Sequence, residues 1–277
     1  MTVKNILVPF NTADASKAAL SIAAKMARKH GAHITGLFCA DPSQPLRHGL
    51  GSNDLIVKAV LEGHEQLKAA AAEAFRTQIA NEAGDVEKRV HWLTARREAD
   101  SAVAEYARYQ DITVIGASRS GTVPEETEFH ADRIALMSGR PVLVVPRHYS
   151  TEVLGEHAVV AWDGKRAAAR ALGDAMQILE SKTKVTILHV GDDPAGPTRE
   201  GLDIAEHLKR HGITAEMVHE PRKGRTVAAT IIECCERVGA GILVMGAYEH
   251  SKFNEDIFGG VTNSVIRKLE IPTIMSH

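Results

Sequence analysis

A chain of 277 residues, 44% hydrophobic and 25% charged, carries enough apolar material for packed cores and too little compositional bias for a disordered or fibrous protein. A formal charge of −2 at neutral pH argues against a nucleic-acid partner or a polybasic membrane surface, and no apolar run nears the ~20 residues of a membrane span. Three cysteines (39, 234 and 235) form no disulfide framework, and the adjacent pair should point to different sides of one helix; a reduced, cytoplasmic setting follows.

In chain order, residues 3–9 read as a short buried strand that begins too early to leave room for a signal peptide. Apolar residues at helical spacing predict a helix over 15–30, with Asp14 as its cap and Gly31 as its stop. A strand over 32–39 and a Pro- and Gly-containing loop over 41–53 come next. An Ala-rich helix over 54–83 then uses Leu61, Leu67, Ala71 and Phe75 to cover a sheet. Further elements are a strand at 86–93, a helix at 99–109, a strand at 112–115, a helix at 126–138 and a strand at 141–145. The plan then recurs, with strands at 158–162, 184–190, 215–219, 242–245 and 272–275. Helices at 165–179, 198–211 and 226–238, and a last one begun at Gly259-Gly260, separate them.

The recurrence is visible residue by residue. Asn11, Ala19 and Leu20 match Asp163, Ala171 and Leu172 at an offset of 152, and Ile115-Gly116-Ala117 matches Met245-Gly246-Ala247 at 130. The falling offset places an extra segment around 41–80 of the first half. A long repeat present twice indicates a duplicated domain. We expect domains at 1–147 and 156–277 joined near 148–155. Alternating strands and helices make each an α/β doubly wound unit with helices on both faces of a parallel sheet.

The stretch 241–277 carries the most specific signal. A buried strand stops at Gly246, a polar loop leads to Gly259-Gly260-Val261-Thr262, and a helix and a final strand follow. This text resembles the universal stress protein family, whose fourth strand ends in Gly-x2-Gly-x9-Gly-Ser/Thr. Gly246 and Gly259 match that pattern, whereas Glu249 and Gly260 depart from it. The resemblance implies strand order 3-2-1-4-5 in each half and antiparallel pairing of the two fifth strands. It also implies an adenine nucleotide (ATP, ADP or AMP, with Mg²⁺ only alongside it) in the second half.

Ligands of doubly wound sheets sit where the strand order reverses, at the carboxyl ends of the strands. On the resemblance, Ala161, Val190 and Met245 line the nucleoside, with the Val190 backbone reading adenine. Asp163 accepts from ribose or amine groups, or else only begins a turn. Gly246 lets strand four end against the ribose, or merely terminates it. Gly259, Gly260, Val261 and Thr262 offer backbone N–H groups and a hydroxyl to phosphate, with His250 and Lys252 nearby, or else make a tight turn. The first half is degenerate as a site, with Asn11 for the Asp, Arg119 and Phe129 for two glycines, and Glu125, Glu126 and Glu128 adding negative charge.

No P-loop or nucleophile elbow is present. His207 and His211 read as an exposed helix face and His189 as a packed strand end, so no catalytic or metal residues are assigned. The expected role is a cytoplasmic stress-response protein with a regulatory nucleotide. A nucleotide-free scaffold and a slow ATPase are the alternatives, and a homodimer and unidentified protein partners complete the reading. A Glu249 carboxylate about 5 Å from a phosphate charge would repel it by roughly 3 kcal/mol at an effective dielectric near 20. Glu249→Gly should therefore bind ATP up to about a hundredfold more tightly by calorimetry; an unchanged affinity would refute this role for Glu249.

Overall fold

The computed structural model of the chain describes residues 3–43, 54–82, 84–117, 127–149, 154–192, 203–247, 260–268 and 270–277. The first half contains β1 (Asn5–Pro9), α1 (Asp14–His30), β2 (His33–Cys39), α2 (Asp54–Glu82) and β3 (Val90–Ala95). It continues with α3 (Ala99–Ala107), β4 (Ile112–Gly116), α4 (Ala131–Ser138) and β5 (Val142–Val145). The second half contains β6 (His157–Ala161), α5 (Arg166–Leu179), β7 (Lys184–Val190), α6 (Ile204–Arg210) and β8 (Ala215–Glu220). It ends with α7 (Val227–Val238), β9 (Ile242–Gly246), α8 (Gly260–Lys268) and β10 (Thr273–Ser276).

The strands form one sheet in the order β3-β2-β1-β4-β5-β10-β9-β6-β7-β8, so each half has the expected order 3-2-1-4-5. Pairing is parallel within each half and antiparallel at the seam, where Leu143 opposes Ile274 and Val142 opposes Met275. Alternate strand residues feed two cores. Ile6, Val8, Leu143, Val160 and Ile274 face α1, α2, α5 and α6. Leu7, Val144, Val159, Leu243 and Met275 face α3, α4, α7 and α8. The helices change face because the crossovers keep one hand while the strand order reverses at β1 and at β6.

Several local expectations are corrected. The N-cap of α1 is Ala13, without a side-chain cap; Asp14 lies in the first turn and pairs with Arg147 at 2.9 Å. Gly31 ends this helix with a left-handed φ of 63°, as expected. The third strand starts at Val90 because Gly84–Arg89 forms a 3-10 turn that buries Val86. Of α2, the segment that buries Ala71, Phe75 and Ile79 covers the sheet, while Leu55 is 76% and Leu61 41% exposed. A 29-residue helix is about 43 Å long, whereas the six- and seven-residue strands beneath it span only about 20 Å, so its N-terminal part overshoots them. Cys234 and Cys235 are both buried, since α7 packs on β7 and also on α8.

The seam is tightly packed, with Leu143 and Ile274 fully buried. Ile274→Ala should cost about 2–5 kcal/mol in chemical denaturation; a loss under about 0.5 kcal/mol would show that the seam contributes little to stability.

Candidate functional site

In the second half, the order reverses between β6 and its neighbours β9 and β7. Ala161, Val190, Met245 and Gly246 all lie at the carboxyl ends of these strands, and Asp163 follows β6 directly. Gly260, Val261 and Thr262 form the first turn of α8, with Thr262 buried and Val261 36% exposed. Glu249, His250, Lys252 and Gly259 lie outside the described residues. The described part of the constellation thus shares one end of the sheet.

Asp163 is exposed, and its Oδ1 accepts from the Lys165 N–H at 3.0 Å, closing a turn in which Gly164 has φ 74°. Asn11 makes the same turn in the first half, accepting from the Ala13 N–H at 3.0 Å. Behind Asp163, the Trp162 N–H donates to Leu188 O at 2.8 Å, and His189 Nδ1 lies 3.2 Å from Trp162 O. The rings of His189 and His219 stack with centroids 5.5 Å apart, and His219 Nε2 contacts Gly191 O at 2.9 Å. His189 is therefore a packed strand-end residue. His207 on α6 and His211, the C-cap of that helix, are exposed neighbours with centroids 5.0 Å apart. Among the described residues, no group of three or more His, Cys, Asp or Glu is placed to hold a metal ion.

His277, missed from the sequence, bridges this end of the sheet to α5. Its Nδ1 lies 2.8 Å from Ala247 O and its Nε2 is 3.0 Å from Arg166 Nη2. Arginine only donates, so Nε2 accepts, and Nδ1 carries the proton donated to Ala247 O. Its position as the last residue of the sequence carried no signal of this contact.

Gly246 has a structural reason of its own. A Cβ there would lie 2.7 Å from the backbone of Ala167 and Ala168 in the first turn of α5. At Gly116, the matching residue, it would lie 2.1 Å from Ala15 O. Both halves need glycine so that a helix can pass close to strand four, and the residue therefore does not discriminate a ligand site from its absence. Gly260 differs, because a Cβ there meets nothing within 4 Å among the described residues. The described residues therefore do not force that glycine.

In the first half the described counterpart residues are bonded to one another or packed in the core. Asn11 is buried; Ser16 Oγ donates to its Oδ1 at 2.7 Å, and its own Nδ2 donates to Thr127 O at 3.0 Å. Phe129, at the third glycine position, is 6% exposed and joins the core with Ile134 and Ala135. Asp100, 2% exposed, then takes the place of an external anion at the start of α4. Its Oδ1 accepts from the His130 N–H at 2.8 Å, its Oδ2 faces His130 Nδ1 at 2.9 Å, and Arg133 lies 3.7 Å away. The N-caps Glu98 and Thr226 and the ion pairs Arg97–Glu105 and Arg225–Glu233 align α3 with α7 at an offset of 128, so the residue that matches Asp100 is the buried Ala228. At this position the second half therefore lacks the carboxylate. This capture also explains why α4 begins at Ala131 rather than at residue 126, residues 118–126 lying outside the described set.

Comparisons with known proteins agree with this architecture. The model of the universal stress protein family matches residues 2–146 and again 156–277. A universal stress protein from Archaeoglobus fulgidus DSM 4304 superposes with a TM-score of 0.70 at 18% identity, covering 98% of this chain and 95% of that one. A putative universal stress protein from Pseudomonas aeruginosa UCBPP-PA14 gives 0.60 at 14% identity, covering 99% and 93%. No curated protein matches the chain. Likeness at such identities shows the fold.

The Asp100 hydrogen bond, opposed by partial burial, raises the His130 pKa above its ordinary 6.5. The folded state then binds this proton more tightly than the unfolded state. Its stabilisation is full below about pH 6.5 and is lost as pH rises through the folded value. The stability difference between the parent and His130→Asn should therefore be larger near pH 5.5 than near pH 8, by less than about 1 kcal/mol because the ring is partly exposed. A difference independent of pH in urea denaturation would contradict the pairing.

Proposed function

The chain belongs to the universal stress protein family, and from that premise we propose that its second half binds an adenine nucleotide as a regulatory ligand. The site comprises the carboxyl ends of β6, β7 and β9 and the first turn of α8. Ala161, Val190 and Met245 line the nucleoside, the Val190 backbone reads adenine, and Asp163 accepts from the ribose. Gly246 flanks the ribose, while Gly259, Gly260, Val261 and Thr262, with His250, take the phosphates. Mg²⁺ enters only with the nucleotide.

The supporting observation is the contrast between the two halves. Asp100 already supplies a carboxylate to the start of α4, whereas the matching position is the apolar Ala228, and a Cβ on Gly260 would meet nothing within 4 Å among the described residues. A helix N-terminus with unsatisfied N–H groups favours an anion. The three cysteines are unpaired and buried, and burial pushes the Cys39 and Cys235 thiols up to about 12. They suit a reducing, cytoplasmic setting. Among the described residues no helix is long and apolar enough to cross a membrane. We treat 1–147 and 156–277 as the two units, with homodimerisation and protein partners as further parts of the proposal.

Calorimetric titration with ATP, ADP and AMP, with and without Mg²⁺, tests the site. The expected result is one nucleotide per chain, weakened at least about tenfold by Asp163→Ala through loss of a charged acceptor. Absence of heat and of any thermal shift with all three would refute nucleotide binding and favour the scaffold.

A further inference from the structure

A second cavity lies on the α1/α5 face, remote in sequence from the strand ends discussed above. It is a cleft of about 360 Å³ between the C-terminal part of α1 and the end of α5. Residues that match at the repeat offset of 152 line it from both sides: Met26 with Ile178, Lys29 with Ser181, and His30 with Lys182. The cleft therefore lies on the approximate two-fold axis that relates the halves.

Its lining has two chemistries. Ile22, Met26 and Ile178 are buried and Leu154 partly buried, all within one apolar cluster. Around them stand Lys25, Arg28, Lys29, His30 and Lys182, with Glu156 the single lining carboxylate among the described residues. Basic residues in a last helical turn ordinarily complement the helix dipole, which accounts for Arg28, Lys29 and His30. It does not account for Lys182, which lies beyond the C-cap of α5 and crosses to donate to Leu154 O at 2.9 Å. Nor does it account for an open apolar floor. Burial holds the Lys182 ammonium below its usual range; Glu156 opposes this and Lys29 adds to it. Burial, then Lys29 and Lys4, likewise lower His30. Positive charge is thus crowded beside a partly desolvated apolar surface, and an anion would relieve it.

We propose that this cleft binds a small anion with an apolar body, of the class of medium-chain carboxylates. The chain lies on Met26 and Ile178, and the head group sits among Arg28, Lys29 and Lys182. The volume is at the lower end of the ~300–1,000 Å³ typical of small-molecule sites.

Octanoate titrated into the full-length protein provides the test, with octanol, octylamine and inorganic phosphate as comparisons. We expect one saturable octanoate site per chain, a shift of the Met26 methyl resonance, and binding at least about tenfold weaker to the three comparisons. Lys29 is exposed, so Lys29→Glu should fold normally and weaken octanoate at least about tenfold. Asp163→Ala should leave octanoate binding unchanged, which separates this site from the nucleotide site. The proposal is overturned by absence of saturation, by equal affinity for any comparison molecule, by an unmoved Met26 methyl, by an unaffected Lys29→Glu, or by loss in Asp163→Ala.

Discussion

Antiparallel pairing of β5 with β10 fixes the rest of the molecule. Each five-stranded half, alone, would leave its fifth strand as an open edge with unpaired backbone groups. Joining the two edges removes both and leaves β3 and β8 as the outer strands of one ten-stranded sheet. The core continues through the seam, with Leu143 and Ile274 on one face and Val142 and Met275 on the other. Because strands run parallel within each half and antiparallel across the seam, the carboxyl ends of the two halves point in opposite directions. The two switch points cannot merge into one site. The same relation brings the last turns of α1 and α5 to a shared cleft.

With the switch points separated, each half can hold a different ligand, or none. In the first half three groups occupy the counterpart positions: Asn11 holds Thr127, Phe129 fills the core, and Asp100 captures the His130 N–H. Burying a carboxylate is costly unless it is hydrogen-bonded and paired, and His130 and Arg133 provide that pairing. In the second half the residue matching Asp100 is Ala228 and the residue matching Phe129 is Gly259. Duplication has thus left an internal carboxylate beside one helix start and an alanine, Ala228, at the matching position of the other half.

Short apolar runs and the repeat made two α/β units legible in the sequence, and the resemblance of 241–277 to the family added the strand order and the seam pairing. The sequence was less informative where tertiary length or capture decides. Leu61 looked like a sheet-covering residue by periodicity, yet α2 is longer than the strands under it. The start of α4 moved to Ala131 because a distant aspartate, Asp100, binds the preceding N–H. Gly246 read as a ligand glycine, yet the approach of Ala167 and Ala168 demands it without any ligand. Asp163 read as either acceptor or turn-former; its turn to Lys165 is now visible, and its exposure leaves it accessible as an acceptor. His277 was invisible, since its contacts join residues 30 and 111 positions away.

The central claim is that the two halves share a fold but only the second is open to a nucleotide. Backbone-amide NMR of the full chain with ADP tests it most directly. The account predicts shifts at 161–163, 190, 246–247 and 260–262, with Asn11, Gly116 and 127–130 unmoved. Shifts at Asn11 and 127–130, alone or together with those of the second half, would contradict it, as would a spectrum unchanged by nucleotide.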